Sequence, residues 1–381
     1  MSRQLLVYST IRDYPWGGAD AMWTAAAREA LADGWSVDLL LGPLTAESAQ
    51  VRALAAAGAG IVPCPPPPSG LTARIARRLG MDLDDAALEA MRAAPGAHVL
   101  VSQGGSFECA FDRFVAALVK TARSFDLLCN QQDEGPRLTA DERARVERAY
   151  AAARHVVFVS ERNREATERA LARSVPNALV LQYPVCAELD APFAWPEGTG
   201  RMAFVGRYDA YDKGLDILVP ALAAAFPRGG DWSLTLFGRG RDEDYVRALA
   251  ARYPALRDHV SFGGFAAIED IWRSHHLLVL PSRREGASLA MTEALLRGRP
   301  VLATDVGGAG EWIDDARSGF LCAAPTVPLL AETLGRAWQW REGWMDMGLH
   351  AYADSRARYR PRDYRRLLEG LERAGGKAAF A

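Results

Sequence analysis

Short apolar runs and alanine-rich amphipathic runs alternate along almost the whole chain, and this alternation constrains the fold more than any other feature. In the first half the apolar runs predict strands at 4–10, 37–42, 99–103, 127–131, 156–160 and 179–183. Helical patterns lie between several of them, as at 19–33 and 141–153. Strands that alternate with helices form a parallel sheet that is covered on both faces. The sequence therefore predicts an α/β fold built on doubly wound parallel sheets.

The alternation is interrupted by a stretch rich in proline and glycine and then starts again. The second series predicts strands at 202–206, 234–238, 260–263, 277–281 and 300–304. Because 381 residues exceed the usual size of one hydrophobic core, two domains are expected. We predict an amino-terminal domain at 1–185, a linker at 186–200 and a second domain at 201–355. The remaining segment, 356–381, carries a helical stripe, and we predict a carboxyl-terminal helix that crosses back to the first domain; from the pattern alone an ordinary terminal helix fits equally well.

Composition excludes several classes of function. A net charge of −2 argues against a nucleic-acid-binding protein, which needs clustered positive charge. The five cysteines form no CxxC pair, so zinc and redox motifs are not supported. The start of the chain does not fit a signal peptide, and no apolar stretch is long enough to span a membrane. These features predict a cytoplasmic protein.

One stretch, 71–81, leaves a peripheral membrane contact open. It combines an apolar helical stripe with a basic edge, so it fits either a helix lying on the anionic inner membrane face or a core-facing helix. The core-facing reading is the more common outcome for such a pattern and is favoured here.

The most informative window follows the predicted strand 277–281. Glu285 and Gly286 lie in a short loop, Ser288 is a suitable helix N-cap, and Glu293 lies within the helix. The free amides of a helix start can receive a phosphate or sugar hydroxyls, and Gly286 allows close approach of the backbone. The two carboxylates can accept hydrogen bonds from hydroxyls of a sugar or ribose. For an isolated pair of glutamates, solvated surface charges would be the better interpretation.

Two further windows complete the pattern. Arg207 follows the strand 202–206 and Lys213 opens the next helix, so both can bind a diphosphate at the carboxyl end of a sheet. The first strand is followed by a turn with Gly17 and Gly18, which permits close backbone approach to a ligand. That turn is not GxGxxG, so a dinucleotide fingerprint is absent.

Together these windows resemble the retaining GT-B glycosyltransferases of the family called glycosyl transferases group 1. The matching pieces are PWGG, FVGR followed by KG, LFGRG, VSFGGF, and LPSRREGASLAMTEALLRGRPVLATDVGG followed by GF. The resemblance extends over nearly the whole chain and is strongest over 202–322. It implies two Rossmann-like domains facing across a cleft, an acceptor-binding domain first and a nucleotide-sugar donor domain second.

The resemblance also implies residue roles. Arg207 and Lys213 are expected to hold the donor diphosphate, Glu285 the donor sugar and Glu293 the ribose. Further expected donor contacts are Gly17, Gly18, Gly238, Phe265, Gly286, Ala287, Ser288 and Leu289. Many relatives carry a histidine beside the donor sugar, whereas this chain has Asn130, Gln131, Gln132 and Asp133 at the corresponding place. Gln131 or Gln132 is expected to hydrogen-bond the sugar, and Asp133 to orient the acceptor.

The implied reaction is transfer from a nucleotide sugar, UDP- or GDP-linked, to a hydroxyl of a glycan, a glycolipid or a small molecule, with retention of configuration. No metal or other cofactor is expected, because Arg207 and Lys213 supply the positive charge. The triplets Asp82-Leu83-Asp84 and Asp242-Glu243-Asp244 are interpreted as helix-start and surface charges. Two alternatives remain: another GT-B enzyme, such as a phosphorylase or an epimerase, or a catalytically silent partner subunit that binds a nucleotide sugar.

Overall fold

The computed structural model describes residues 3–11, 16–64, 85–131, 138–185, 191–198, 200–369 and 371. The stretch 71–81, the triplet at 82–84, Gln132 and Asp133 lie outside this part of the chain. The chain forms two compact units: unit 1 is Met1–Pro184 with Arg360–Ala381, and unit 2 is Val185–Tyr359. No helix in the described ranges is both apolar enough and long enough to cross a bilayer.

Unit 1 contains a seven-stranded parallel sheet. Its strands are β1 (Gln4–Ser9), β2 (Ser36–Leu41), β3 (Gly60–Pro63), β4 (His98–Gln103), β5 (Phe125–Cys129), β6 (His155–Phe158) and β7 (Ala178–Val180). Their order in space is β3-β2-β1-β4-β5-β6-β7, and every neighbouring pair is parallel. The chain therefore winds outward from β1 in one direction and returns to continue from β4 in the other, which is the doubly wound arrangement.

The helices of unit 1 cover this sheet. In the described residues they are α1 (Ala21–Ala32), α2 (Pro43–Ala46), α3 (Ala49–Ala56), α4 (Asp85–Ala93), α5 (Arg113–Lys120), α6 (Ala140–Ala152) and α7 (Glu161–Leu171). Local side chains fix where several of them begin: Thr139 and Glu142 form a capping box at α6, and the Asp112 carboxylate accepts two amide hydrogen bonds at α5. One core of buried side chains, including Tyr8, Phe114 and Phe125, lies between the sheet and α4, α5 and α6, whereas the buried residues of α1, such as Trp23, lie outside this cluster.

Unit 2 contains a six-stranded parallel sheet. Its strands are β8 (Arg201–Val205), β9 (Ser233–Phe237), β10 (Val260–Gly264), β11 (Leu277–Leu280), β12 (Val301–Thr304) and β13 (Gly319–Cys322). The spatial order is β10-β9-β8-β11-β12-β13. Consecutive residues of β11 belong to cores on opposite faces: Leu278 packs with Ala203 and Val301, and Val279 packs with Phe204 and Leu236. Burial on both faces explains why these strands read as continuous apolar runs.

The helices of unit 2 are α8 (Leu215–Ala225), α9 (Glu243–Ala251), α10 (Ile268–Ser274), α11 (Leu289–Leu295), α12 (Ala309–Trp312), α13 (Val327–Gln339) and α14 (Trp344–Arg358). The predicted α/β class with two doubly wound, Rossmann-like parallel sheets is thus confirmed.

Two segments differ from their sequence-based description. The described residues of the predicted linker 186–200 belong to unit 2, where the buried Arg299 guanidinium donates to the Phe193 and Ala194 carbonyls. The segment 356–381 is not one helix in its described part, because α14 ends at Arg358 before Pro361, and only a 3-10 helix, Asp363–Leu367, follows. This segment packs within unit 1, where Arg154 donates to the Leu367 and Glu369 carbonyls.

Candidate active site

The order of the strands defines where a ligand can bind in unit 2. Strands β8 and β11 are neighbours, but β9 lies on the far side of β8 and β12 on the far side of β11. The loops that leave the carboxyl ends of β8 and β11 therefore diverge and open a crevice between them. Arg207 and Lys213 follow β8, whereas Glu285 follows β11.

An ion pair joins these two loops. The Lys213 Nζ atom lies 2.5 Å from Glu285 Oε1, and both side chains are mostly buried, with 18% and 15% of their surface exposed. The Ser282 hydroxyl donates to the same carboxylate oxygen over 3.0 Å. A cation and a carboxylate are thus held together at the switch point, where the cation can bind phosphate oxygens and the carboxylate can accept from hydroxyls.

Backbone packing fixes the position of Lys213. Gly214 has a φ of +68°, and a Cβ atom at this residue would lie 1.9 Å from the Pro281 carbonyl oxygen. Glycine is therefore required both by the left-handed conformation and by the close approach of the β11 end. Because α8 begins directly after Gly214, the Lys213 side chain leaves the backbone next to Glu285.

The loop that carries Glu285 is tied to the loop after β8. The Arg283 and Arg284 amides both donate to the Asp212 carbonyl, and the Arg283 guanidinium forms a bidentate pair with Asp216 at 2.6 and 2.9 Å. This pairing raises the pKa of Arg283, so the guanidinium stays charged. The two loops consequently form one hydrogen-bonded assembly around the ion pair.

A small hollow opens beside Glu285. Its lining residues are Leu280, Ser282, Glu285, Ser288, Met291, Ala303, Thr304, Val306, Gly308 and Ala309. The Ser288 hydroxyl accepts from the Met291 amide and caps α11, as its sequence position indicated. Gly307 closes the loop after β12, since a Cβ atom there would lie 2.2 Å from the Glu285 carbonyl oxygen. The adjacent Gly308 amide donates to the Gly286 carbonyl over 2.8 Å.

Glu293 is a half-buried carboxyl with a perturbed charge state. Loss of solvent raises its pKa to about 7, nearby Glu269 acts in the same direction, and nearby Arg297 opposes both. Arg297 is itself buried, and its guanidinium donates to the Glu293 carbonyl and to the Glu269 carboxylate. A carboxyl whose pKa is raised to about 7, two residues after the hollow-lining Met291, fits a group that accepts a hydrogen bond from a ligand hydroxyl.

The remaining predicted donor contacts occupy the same edge of the unit 2 sheet. Arg207 lies half-buried directly after β8, and Phe265 follows β10 with 79% of its surface exposed. Gly238 has a φ of +128°, and a Cβ atom there would lie 1.9 Å from the Gly206 carbonyl oxygen. Gly286, Ala287 and Leu289 flank the hollow in sequence. Among described residues, Glu285 and Ser288 share the hollow and Lys213 contacts Glu285, whereas Arg207 and Glu293 do not line it.

The predicted unit 1 residues lie at the equivalent edge of its own sheet. Gly17 has extended backbone angles, and no atom lies within 4 Å of the position of an added Cβ. Its amide donates to the buried Asp20 carboxylate, which also accepts from the Trp23 indole. Gly18 begins the following 3-10 helix. Gln131 is half-buried after β5, beside Asn130.

Sequence reasoning did not assign two polar residues at the edge of the unit 2 sheet. Ser282 and Thr304 line the hollow, and the only signal for them was their position at the ends of predicted strands. Asn130 is saturated, because its amide donates to Ser102 Oγ and the Gln103 carbonyl while it accepts from the Tyr183 hydroxyl. The triplet Asp242-Glu243-Asp244 lies at the start of α9, as predicted, with Asp242 at the N-cap position and Glu243 and Asp244 in the first turn. The Asp242 side chain makes no capping hydrogen bond, and its carboxylate accepts from the Ala210 amide in the loop after β8.

Comparison with known proteins finds a family match over part of the chain and a fold likeness over most of it. Residues 199–339 match the family model described as "Glycosyl transferases group 1". The alpha-D-kanosaminyltransferase of Streptomyces kanamyceticus is 31% identical over 137 residues, 35% of each protein. The lipopolysaccharide core biosynthesis mannosyltransferase of Rhizobium meliloti is 29% identical over 174 residues, 42% of this chain and 49% of that protein. The aligned part thus spans about a third to a half of the length of these curated relatives.

Solved structures resemble a much larger part of the chain. HepE of Anabaena, in complex with UDP and glucose, has a TM-score of 0.74 at 19% identity and covers 97% of this chain and 99% of that one. Sucrose-phosphate synthase from Thermosynechococcus elongatus has a TM-score of 0.73 at 19% identity, with 97% and 98% covered. These likenesses show the fold, which is that of the GT-B class.

Proposed function

We propose that this chain, whose residues 199–339 form a glycosyl transferases group 1 domain, is a glycosyltransferase that moves a sugar from a nucleotide-diphosphate sugar to an acceptor hydroxyl. The observation that carries the proposal is the Lys213–Glu285 ion pair at the switch point of unit 2. Relatives named as transferases of kanosamine and mannose, and a structural neighbour crystallised with UDP and glucose, support the same class of reaction.

In this proposal, binding of the donor separates Lys213 from Glu285 and gives each residue a new partner on the donor. Lys213 turns from Glu285 to the diphosphate, with Arg207 as the second cation, and Glu285 accepts from a hydroxyl of the donor sugar. Each charged group keeps a partner of opposite polarity, so neither becomes an unpaired, partly buried charge. The amides at Gly286, Ala287, Ser288 and Leu289 bind sugar or phosphate oxygens, Glu293 binds the ribose, and the base lies near Gly238 and Phe265.

We further propose retention of configuration without a metal. No carboxylate is assigned as a nucleophile, so the acceptor attacks from the face that the diphosphate leaves, and the diphosphate takes the acceptor proton. The cations Arg207 and Lys213 stabilise the charge that grows on the departing diphosphate. At the ligand edge of unit 1, Gly17, Gly18 and Gln131 are proposed to contact the substrates.

A thermal-shift screen with UDP-, GDP-, ADP- and dTDP-sugars tests the proposal. A donor that binds the folded state raises the melting temperature, by an amount equivalent to about 2.7 kcal/mol at a hundred times its Kd. UDP- or GDP-sugars are expected to give the largest shift, and Lys213→Ala and Glu293→Ala are expected to abolish it. Lys120→Ala, at the end of α5 in unit 1, is the matched control.

Two outcomes separate the alternatives. If the donor raises the melting temperature of Lys213→Ala and Glu293→Ala as much as that of the wild type, the site assignment is wrong. A shift without either transfer or slow hydrolysis of the donor would favour a silent binding subunit over an enzyme.

A further inference from the structure

A short turn at the ligand edge of unit 1 carries chemistry that the proposed function does not use. In the unit 1 sheet β1 and β4 are neighbours, while β2 and β5 lie on their outer sides. The loops after β1 and β4 thus diverge at the switch point of this sheet, where ligands of such sheets bind. The loop after β4 leads into a 3-10 helix, Glu108–Phe111.

Hydrogen bonds fix Glu108 between these two loops. Its Oε2 atom accepts from the Thr10 hydroxyl over 2.8 Å and from the Gly105 amide over 3.0 Å, and the Gly104 amide donates to Thr10 Oγ1. Within the described ranges both bonds end on Oε2, and none ends on Oε1. The carboxylate is exposed, so one oxygen holds the loops together while the other remains available to a ligand.

The backbone before Glu108 is strained. Phe107 has a φ of +60°, which is unfavourable for a bulky side chain, and its ring is buried 6.5 Å from the Tyr150 ring. Such strain persists only where the surrounding structure enforces it, and it concentrates at ligand-binding positions. Here the left-handed residue redirects the chain so that the turn 108–111 begins at the edge of the sheet.

Phe111 stands out among the aromatic side chains of unit 1. Its ring is 47% exposed, whereas Phe114, Phe125 and Phe158 are fully buried. Side chains three residues apart on a 3-10 helix lie on the same face, so the Phe111 ring and the Glu108 carboxylate share one side of the turn. An aromatic ring and a hydroxyl-accepting carboxylate on one exposed face are the two elements that bind a sugar: the ring packs on the C–H face, and the carboxylate accepts from hydroxyls.

We infer that Glu108 and Phe111 form a subsite for a neutral carbohydrate acceptor. The inference rests on the proposed function and specifies its acceptor class. The negative charge of Glu108 disfavours an acceptor that presents a phosphate at this turn. A purely apolar acceptor would leave the carboxylate without a partner, so a polyhydroxyl ring satisfies both groups.

Saturation-transfer NMR on the full chain tests the subsite, with UDP present and maltotriose, mannotriose, chitotriose and glycerol phosphate as probes. At least one neutral trisaccharide is expected to bind, and Phe111→Ala and Glu108→Gln are each expected to weaken it about tenfold. Glu108→Gln can keep both internal bonds through its amide oxygen while the outward acceptor becomes a donor, so it probes recognition rather than folding. Tyr245→Ala, an exposed aromatic of unit 2, is the matched control.

The outcomes separate the subsite from the proposed function. UDP-induced thermal shifts that persist in Phe111→Ala and Glu108→Gln show that the donor site is intact. Unchanged trisaccharide affinity in both variants, or a wild-type chain that binds UDP and no neutral trisaccharide, overturns the subsite. A wild-type chain that binds no nucleotide sugar contradicts the proposed function instead.

Discussion

The ligand edges of the two sheets are held in shape by different kinds of contact. In unit 2, Gly214, Gly238 and Gly307 have positive φ values, and an added Cβ atom at each would lie 1.9 to 2.2 Å from a backbone oxygen. In unit 1, the Thr10–Glu108 hydrogen bond joins the loops, and the space around Gly17 is open. Backbone contact tolerates few sequences, whereas side-chain contact can be exchanged without refolding the sheet.

This difference coincides with the location of the family match. The family match covers 199–339, which lies entirely within unit 2. The structural likeness to HepE instead extends over 97% of the chain. The unit whose edge depends on backbone packing is thus the unit in which the family match lies. We therefore expect donor binding to depend on a rigid frame and acceptor choice to depend on replaceable side chains.

The largest effect is expected for Gly214→Ala. The added methyl group would meet the Pro281 carbonyl oxygen, and alanine disfavours the positive φ, so we expect a loss of about 3 kcal/mol or more in the free energy of unfolding. Gly335→Ala in α13 is the control, because no atom lies near its Cβ position and alanine favours a helix by about 0.5–1 kcal/mol. Urea unfolding measures both. A Gly214→Ala variant as stable as the wild type would mean that the unit 2 edge does not depend on close backbone contact, and the two edges would then not differ in this respect.

Lys213→Ala is expected to lower the rate of the reaction. Loss of a cation that stabilises a departing diphosphate lowers the rate by about 100-fold, by analogy with other groups that stabilise transition-state charge. Nucleotide diphosphate release, measured with Lys120→Ala in parallel, checks this. A Lys213→Ala rate equal to that of the control would mean that the leaving group is not stabilised at the unit 2 edge.

The sequence predicted the unit 2 site better than the unit 1 site for a physical reason. Parallel strands bring their carboxyl ends to one edge, so Lys213 and Glu285 could be placed together from strand positions alone. Their direct ion pair was not predicted, because each had been assigned to a ligand. The Glu108–Phe111 turn depends on the unfavourable φ of Phe107, which no residue propensity encodes.

The strands that sequence reasoning missed are both at sheet edges. Among the described strands, β3 pairs only with β2 and β13 only with β12, and each is four residues long. An edge strand can form with an apolar pattern over fewer residues than a central strand, so its pattern is harder to recognise in the sequence. Both begin with glycine, which is depleted in strands, so tertiary pairing decided their conformation against local preference.

A smaller effect on stability is expected from Glu293 and Glu269, two carboxyl groups of unit 2 whose pKa values are shifted in opposite directions. The pKa of Glu293 is raised to about 7 in the folded state, from an ordinary value of about 4.5. The folded state therefore binds more protons than the unfolded state in this interval, and stability falls as the pH rises through it. Glu293→Gln avoids this loss, so we expect the variant to match the wild type at pH 5 and to be about 2–3 kcal/mol more stable at pH 8.

Glu269→Gln is the matched control for this titration. The pKa of Glu269 is lowered, first by its backbone hydrogen bond and also by Arg297, so its ionised form stabilises the fold and the substitution should lower stability above pH 5. Thermal unfolding measured across pH 5–8 is expected to show a gain in stability for Glu293→Gln and a loss for Glu269→Gln. A Glu293→Gln variant less stable than the wild type at pH 8 would mean that the ionised carboxyl stabilises the fold through partners that outweigh its loss of solvent.

The smallest effect on stability is expected for Gly17→Ala in unit 1. Alanine readily adopts the extended angles of this residue, and its methyl group would meet no atom, so the free energy of unfolding should change by less than about 0.5 kcal/mol. If the open space receives a substrate, the methyl group displaces it, and transfer should fall about tenfold. Gly96→Ala, equally open but at the amino-terminal end of β4, should change neither quantity. If both variants transfer sugar equally well, no substrate occupies the open space at Gly17, and the substrate contacts of unit 1 are made by its side chains.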